Sequence, residues 1–188
     1  NEDETIWQVS ERLGQTIPHL CYSPAESYRP DGNCRACMVE IDGERTLAAS
    51  CIRKPHDGMK VFSNSSKATK SRSLVLELLH SDHPDNELSH NPKSLLNKSF
   101  ENINLSSSRF PEKKRPKSDS SHPAIAVNLD SCIQCGLCVR ACREVQVNDV
   151  IGFSGRGSDT KIVFDFDDKM GESTCVGCGE CVQACPTG

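Results

Sequence analysis

Cys132, Cys135, Cys138 and Cys142 follow the spacing CxxCxxCxxxC, and Cys175, Cys178, Cys181 and Cys185 repeat it at a constant offset of 43 residues. Four thiols held that close together suit a metal centre, because the thiolate is the ligand and clustered reduced thiols gather soft metal. Two copies imply two centres. The other four cysteines, Cys21, Cys34, Cys37 and Cys51, form a CxxC with two distant partners. All twelve cysteines fall into these three groups and none is left over. No His, Asp or Glu is placed as a persuasive acid, base or nucleophile, so no catalytic residue is assigned.

Composition bounds the surroundings of these sites. The 188 residues are 36% hydrophobic and 5% aromatic, with a mean hydropathy of -0.50. The apolar core is therefore thin, and something other than hydrophobic burial must help to hold the fold. Disulfides in a secreted domain are one possibility. Yet NEDETIWQVS has no basic start leading into an apolar stretch, and no run approaches the length of a membrane span. This points to a soluble chain in a reducing compartment, the cytoplasm, unless a leader lay upstream of residue 1. The formal charge is -4. If the twelve thiols bind metal as thiolates, with three iron-sulfur cores returning about +6, it becomes roughly -10, which argues against nucleic acid as a partner. The basic run PEKKRPK, residues 111–117, reads as solvated linker.

Three regions must position the cysteines. Residues 1–80 read as one domain, strand-rich to about residue 66, with an early helix capped by Thr5 and Gln8, sided by Ile6, Val9 and Leu13, and ended at Gly14. Met38 to Ile41 and Arg45 to Ala48 flank Asp42-Gly43, a tight-hairpin signal. Residues 69–80 read as a helix with Leu74, Val75, Leu78 and Leu79 inward. Residues 81–123 read as a polar linker with at most local order. Residues 124–188 hold the doubled run, with Lys161 to Asp167 as a strand and Gly155-Arg156-Gly157 as the turn of an inserted hairpin.

The doubled run matches that of bacterial ferredoxins, in which three close thiolates hold one cluster and the fourth reaches across to the other. That resemblance implies one 4Fe-4S cluster on Cys132, Cys135, Cys138 and Cys185 and a second on Cys175, Cys178, Cys181 and Cys142. Gly136, Gly177 and Gly179 suit loops that turn tightly and aim N-H groups at sulfur. Pro186 completes the CP ending of the second copy, where the first has Arg143. Zinc, usually served by two separated CxxC pairs, fits the doubled run poorly. At the first four cysteines zinc stays open. There DGNCRACMVEIDGER followed by LAASC resembles the loop of 2Fe-2S ferredoxin domains in complex I large subunits, iron hydrogenases and NAD-linked formate dehydrogenases.

IPHLCYSPAESYRPDGNCRACMVEI, ERTLAASCIRKP, HPAIAVNLDSCIQCGLCVRACREVQVNDVIGF and GESTCVGCGECVQACPTG together resemble the first part of the alpha subunit of cytoplasmic NAD-dependent formate dehydrogenases. The resemblance implies an α+β chain, a partial β-grasp 2Fe-2S ferredoxin-like domain followed by a bacterial-type two-4Fe-4S ferredoxin-like domain. It also implies a relay between a molybdenum or tungsten bis-pterin catalytic domain and a beta subunit carrying FMN and the NAD site.

Two departures qualify it. Many relatives build a further cluster on one histidine and three cysteines, but here the stretch is HPDNELSHNPKSLL: His83 remains, Glu87 takes the first cysteine position, and no cysteine follows before Cys132. That cluster is expected to be absent, with His80, His83 and His90 solvated in a polar loop and not a small metal site. The family also has a strand hairpin before Thr5 and a large catalytic portion after CPTG. This suggests a fragment or a naturally split subunit, with an exposed strand edge and marginal stability unless clusters or neighbours support it. The rivals are the iron-sulfur diaphorase subunit of an NAD-linked hydrogenase, which shares the SRFP stretch at 108–111, and a noncatalytic zinc-binding interaction module.

Overall fold

The computed structural model describes residues 3–84, 90–112 and 116–188. Helix α1, Ile6–Arg12, begins with the expected capping box: Thr5 Oγ1 accepts from the Gln8 N-H, and Gln8 Oε1 accepts from the Thr5 N-H at 2.8 Å. Gly14, at φ 72°, leaves the helix in the left-handed conformation that glycine adopts without strain. The buried face is Ile6, Trp7 and Ser10, not the expected stripe, and Leu13 is 66% exposed. Trp7 decides the rotation. Its indole N-H donates to the Ile17 carbonyl at 2.8 Å, and its ring meets the edges of His19 and Tyr22 at 4.7 and 4.9 Å, so the largest apolar surface turns inward.

Strand β1, Met38–Ile41, is central in a three-stranded antiparallel sheet between β2, Ala48–Ala49, and β3, Val61–Phe62. The Asp42-Gly43 turn forms, with the Glu44 N-H donating to the Ile41 carbonyl at 3.0 Å. The return strand does not follow at once. Met38 pairs with Ala49 and Val39 with Ala48, two positions later than a two-residue hairpin would pair them. This longer loop brings Ser50, whose N-H donates to the Cys37 carbonyl at 3.2 Å, and hence Cys51, beside Cys37.

Helix α2, Ser66–Asp82, is capped by Ser65. Its buried stripe is Ala68, Arg72 and Leu76, spaced by four, whereas Leu78 is 49% exposed. The rotation differs from that expected because α2 serves two neighbours. Arg72 donates to the Met38 carbonyl on the sheet at 3.3 Å, and Leu76 packs with Leu20 and Ala36 against the next helix. That helix, α3, Leu95–Asn102, lies inside the expected linker. Its Leu96 and Phe100 are 0% and 2% exposed. Ser94 caps it by accepting from the Asn97 N-H at 3.1 Å. Ser108 and Arg109 are also bound, donating to the backbone carbonyl and carboxylate of Glu77 on α2. A short amphipathic helix in a Ser- and Asn-rich stretch was hidden by the polar residues around it.

In the last third, β4, Ile151–Ser154, and β5, Lys161–Phe164, form the expected antiparallel hairpin. β5 stops short of Asp167 because Asp165 and Asp167 take left-handed conformations, leaving Phe166 97% exposed. The hairpin closes a core with Val139, Val150 and Met170. Beside it lie α4, Leu137–Arg140, a π-helical turn at Ala141–Val145, and α5, Glu180–Ala184. No helix among the described residues is long and apolar enough to cross a membrane.

Candidate metal centres

The two four-cysteine runs are built alike. Gly136 and Gly179, at φ 75° and 79°, each turn the chain into a short helix, α4 or α5, that carries the third cysteine of its run, Cys138 or Cys181. Ahead of each, the residue two after the first cysteine bends its N-H back onto that sulfur: Gln134 onto Cys132 Sγ and Gly177 onto Cys175 Sγ, both at 3.4 Å. Cys142, in the π-helical turn, receives the Val150 N-H at 3.4 Å. N-H groups aimed at sulfur favour the thiolate.

The fourth cysteine of each run crosses to the other. An apolar cavity of about 160 Å³ is lined by Cys132, Cys135, Cys138 and Cys185 together with Cys181. A second hollow is lined by Cys142, Cys175, Cys178 and Cys181. Electrostatics repeat the grouping. Burial first, with Cys185 and Cys132 adding, pushes the Cys135 thiol up to about 12. Cys138 rises well above its usual value from burial and then from Cys135, Cys132 and Cys185, with Cys181 adding last. Cys181 is pushed up to about 11 by burial, then by Cys175, Cys178 and Cys142. Four thiolates gathered in a poorly solvated site repel one another, so the site needs a positive core to hold them ionised.

Of the remaining four, Cys37 and Cys51 belong to the first region's core, and Cys21 and Cys34 lie on the side that meets Cys135 and Leu137. Cys21, Cys37 and Cys51 are 0%, 1% and 0% exposed. Cys37 Sγ and Cys51 Sγ lie 3.4 Å apart, and the N-H groups of Cys21 and Ala36 point at Cys34 Sγ at 3.4 and 3.5 Å. A hydrogen bond from the Cys21 thiol, against the opposing effect of burial, lowers Cys34 to about 6, and one from the Cys51 thiol likewise lowers Cys37 to about 7. All twelve cysteines are free thiols, and this all-sulfur donor set fits iron-sulfur cores. Among the described residues no group of His, Cys, Asp or Glu is arranged to hold a single metal ion.

Two further contacts were not legible in the spacing. Asn33 Nδ2 donates to the Cys135 carbonyl at 3.3 Å, and Tyr28 Oη donates to Glu180 Oε1 at 2.8 Å. They tie the first cysteine loop to the doubled run, and Cys21 and Cys135 share one apolar cluster with Leu137. Two of the three histidines depart from expectation, whereas His90 is exposed as expected. His83 is 4% exposed, and His80 and His83 flank the Phe100 ring at 5.0 and 5.9 Å. His90 faces Asp130 at 3.3 Å. The unexpected α3 supplies the aromatic surface that draws His80 and His83 in. Glu87 and residues 113–115 of the basic run lie outside the described residues.

Comparison with known proteins agrees with this geometry. The 2Fe-2S iron-sulfur cluster binding domain family matches residues 1–66, and the 4Fe-4S dicluster domain family matches residues 113–188. The NADH-ubiquinone oxidoreductase 75 kDa subunit of Reclinomonas americana is 35% identical over 84% of this chain and 23% of its own length. NADP-reducing hydrogenase subunit HndD of Solidesulfovibrio fructosivorans is 34% identical over 100% of this chain and 33% of its own. The chain thus spans a third or less of these two relatives. A solved structure of an NAD+-reducing NiFe-hydrogenase in the H2-reduced state superposes with a TM-score of 0.88 at 27% identity, covering 98% of this chain and 79% of that one. The chain is an iron-sulfur electron-transfer module, a ferredoxin-like 2Fe-2S domain followed by a 4Fe-4S dicluster domain, resembling subunits of NADH-quinone oxidoreductases and of NAD(P)-linked hydrogenases.

Proposed function

We propose that Cys21, Cys34, Cys37 and Cys51 hold one 2Fe-2S cluster, that Cys132, Cys135, Cys138 and Cys185 hold one 4Fe-4S cluster, and that Cys142, Cys175, Cys178 and Cys181 hold another. The observation that carries this reading is the crossing of Cys142 and Cys185 between the two runs, visible in both hollows. Bound clusters supply one-electron redox chemistry. The chain's own part is to hold the thiolates, to aim N-H groups at sulfur, and to wall the sites with apolar side chains. The β2-β1-β3 sheet with its two helices supports reading residues 1–80 as a partial β-grasp domain.

The module relays electrons singly between a substrate-oxidising metal centre and a flavin subunit that reduces NAD, in the cytoplasm. The sequence stretches quoted above support formate oxidation at a molybdenum or tungsten bis-pterin domain, with an FMN- and NAD-binding beta subunit as the other partner. A second reading, the iron-sulfur subunit of an NAD-linked hydrogenase, is favoured by the likeness to an NAD+-reducing hydrogenase chain over 98% of this one. Metal and pterin analysis of the native complex separates them. Molybdenum or tungsten with pterin supports the first, and nickel without pterin supports the second.

A further inference from the structure

We propose that Arg140 is a positioning residue that holds one buried cation between the 2Fe-2S loop and the adjoining 4Fe-4S loop and raises both reduction potentials together. This role rests on the cluster assignments proposed above. Arg140 projects from the end of α4 and its side chain is 3% exposed. Its Nη2 donates to the Cys21 carbonyl at 2.7 Å and to the Cys135 carbonyl at 3.3 Å. Nη1 donates to the Arg29 carbonyl at 2.5 Å, and Nε faces the Gly136 carbonyl at 3.4 Å and Asp31 Oδ2 at 3.2 Å. One planar fork therefore joins the backbone of a ligand residue at each of two different sites.

A guanidinium keeps its charge in any such setting, and its fork of donors satisfies several carbonyls at once. Reduction adds an electron to a cluster, and a nearby cation stabilises the added charge, more strongly where solvent is excluded. The compensating carboxylate is the more exposed partner: the Asp31 side chain is 23% exposed and also pairs with Arg29, itself 62% exposed. Solvent thus screens Asp31 and Arg29 more than it screens Arg140. Because the same cation touches both loops, it moves both potentials in one direction. A purely structural tie would require the hydrogen bonds but not the charge.

The test uses the full-length, cluster-loaded protein with Arg140→Gln, Arg140→Lys and Asp31→Asn. Iron content and reduced-state electron paramagnetic resonance first establish that the clusters assemble, and a redox titration then follows each signal. In Arg140→Gln the reduction equilibrium of the 2Fe-2S centre and of one 4Fe-4S centre falls at least threefold, about 28 mV at 59 mV per tenfold change. Arg140→Lys restores most of that shift, and Asp31→Asn moves both couples the opposite way. Unchanged potentials in an assembled Arg140→Gln protein, a shift at only one centre, or an equal shift in Arg140→Lys would overturn the role. If Arg140→Gln fails to assemble, Asp31→Asn decides by the same two couples. Wild-type protein without 2Fe-2S and 4Fe-4S signals would overturn the function proposed above and remove the premise of this role.

Discussion

Gln134 and Gly177, 43 residues apart, occupy the same place in the two halves of the dicluster domain: both have positive φ, 56° and 69°, and both direct an N-H onto the cysteine sulfur two residues before them at 3.4 Å. Gly177 adopts this conformation freely, whereas Gln134 is held in it, its side-chain amide donating to the Thr160 carbonyl on the inserted hairpin. Gly177→Ala should therefore destabilise the domain by about 1 kcal/mol through left-handed strain. Gln134→Gly loses a hydrogen bond of about 1 kcal/mol but relieves comparable strain, and comes out nearly neutral. Denaturant titration of the two variants checks the asymmetry.

The proposed crossing of Cys142 and Cys185 makes a pairing prediction. Cys142 lies in the first run, yet its sulfur lines the hollow of Cys175, Cys178 and Cys181. Cys142→Ser and Cys175→Ser should perturb the same 4Fe-4S signal in reduced-state spectra, and Cys185→Ser and Cys132→Ser the other. Perturbation grouped by run instead of by hollow would refute the assignment.

His19 packs its ring against Trp7 and Tyr22, and burial holds its imidazole below the ordinary 6.5, against the smaller opposing pulls of the Ile17 backbone and Glu11. The folded state thus binds fewer protons here than the unfolded state. Stability from this site is full above the unfolded value of about 6.5 and is lost as pH falls through the lower folded value. His19→Phe keeps an aromatic edge and removes the titration. Urea midpoints compared at pH 7.5 and 5.5 should fall further in the wild type than in this variant. An equal fall in both would show that His19 does not contribute.

Phe100 tests whether residues 81–123 include part of the core. It is 2% exposed, packs with Leu20, Leu76 and Leu96, and receives the His80 and His83 rings. Phe100→Ala should cost about 3–5 kcal/mol, whereas a side chain in a solvated linker would cost almost nothing. The unfolding free energy of this single variant distinguishes the two.

What could be read from the chain alone follows the physics of each feature. The cysteines proposed as cluster ligands recur at fixed spacings, and the left-handed glycines and the inserted hairpin were likewise visible as patterns. The faces of α1 and α2 were not. Trp7 outweighs the Ile6, Val9 and Leu13 stripe because of its size and its bond to Ile17, and α2 turns Arg72 inward, where it donates to the Met38 carbonyl, in place of the Leu74, Val75, Leu78 and Leu79 face. The β1-β2 register depends on placing Cys51 beside Cys37, which local turn chemistry at Asp42-Gly43 does not encode. Arg140, Asn33 and Tyr28 join segments more than 100 residues apart, a relation that no local spacing reveals.

The most direct measurement is iron and acid-labile sulfide content of the purified chain, with electron paramagnetic resonance after reduction. About ten iron and about ten sulfide per chain, with one 2Fe-2S-type and two 4Fe-4S-type signals, are expected. Zinc in place of iron, or cystine bridges among these cysteines with no paramagnetic reduced state, would contradict the account.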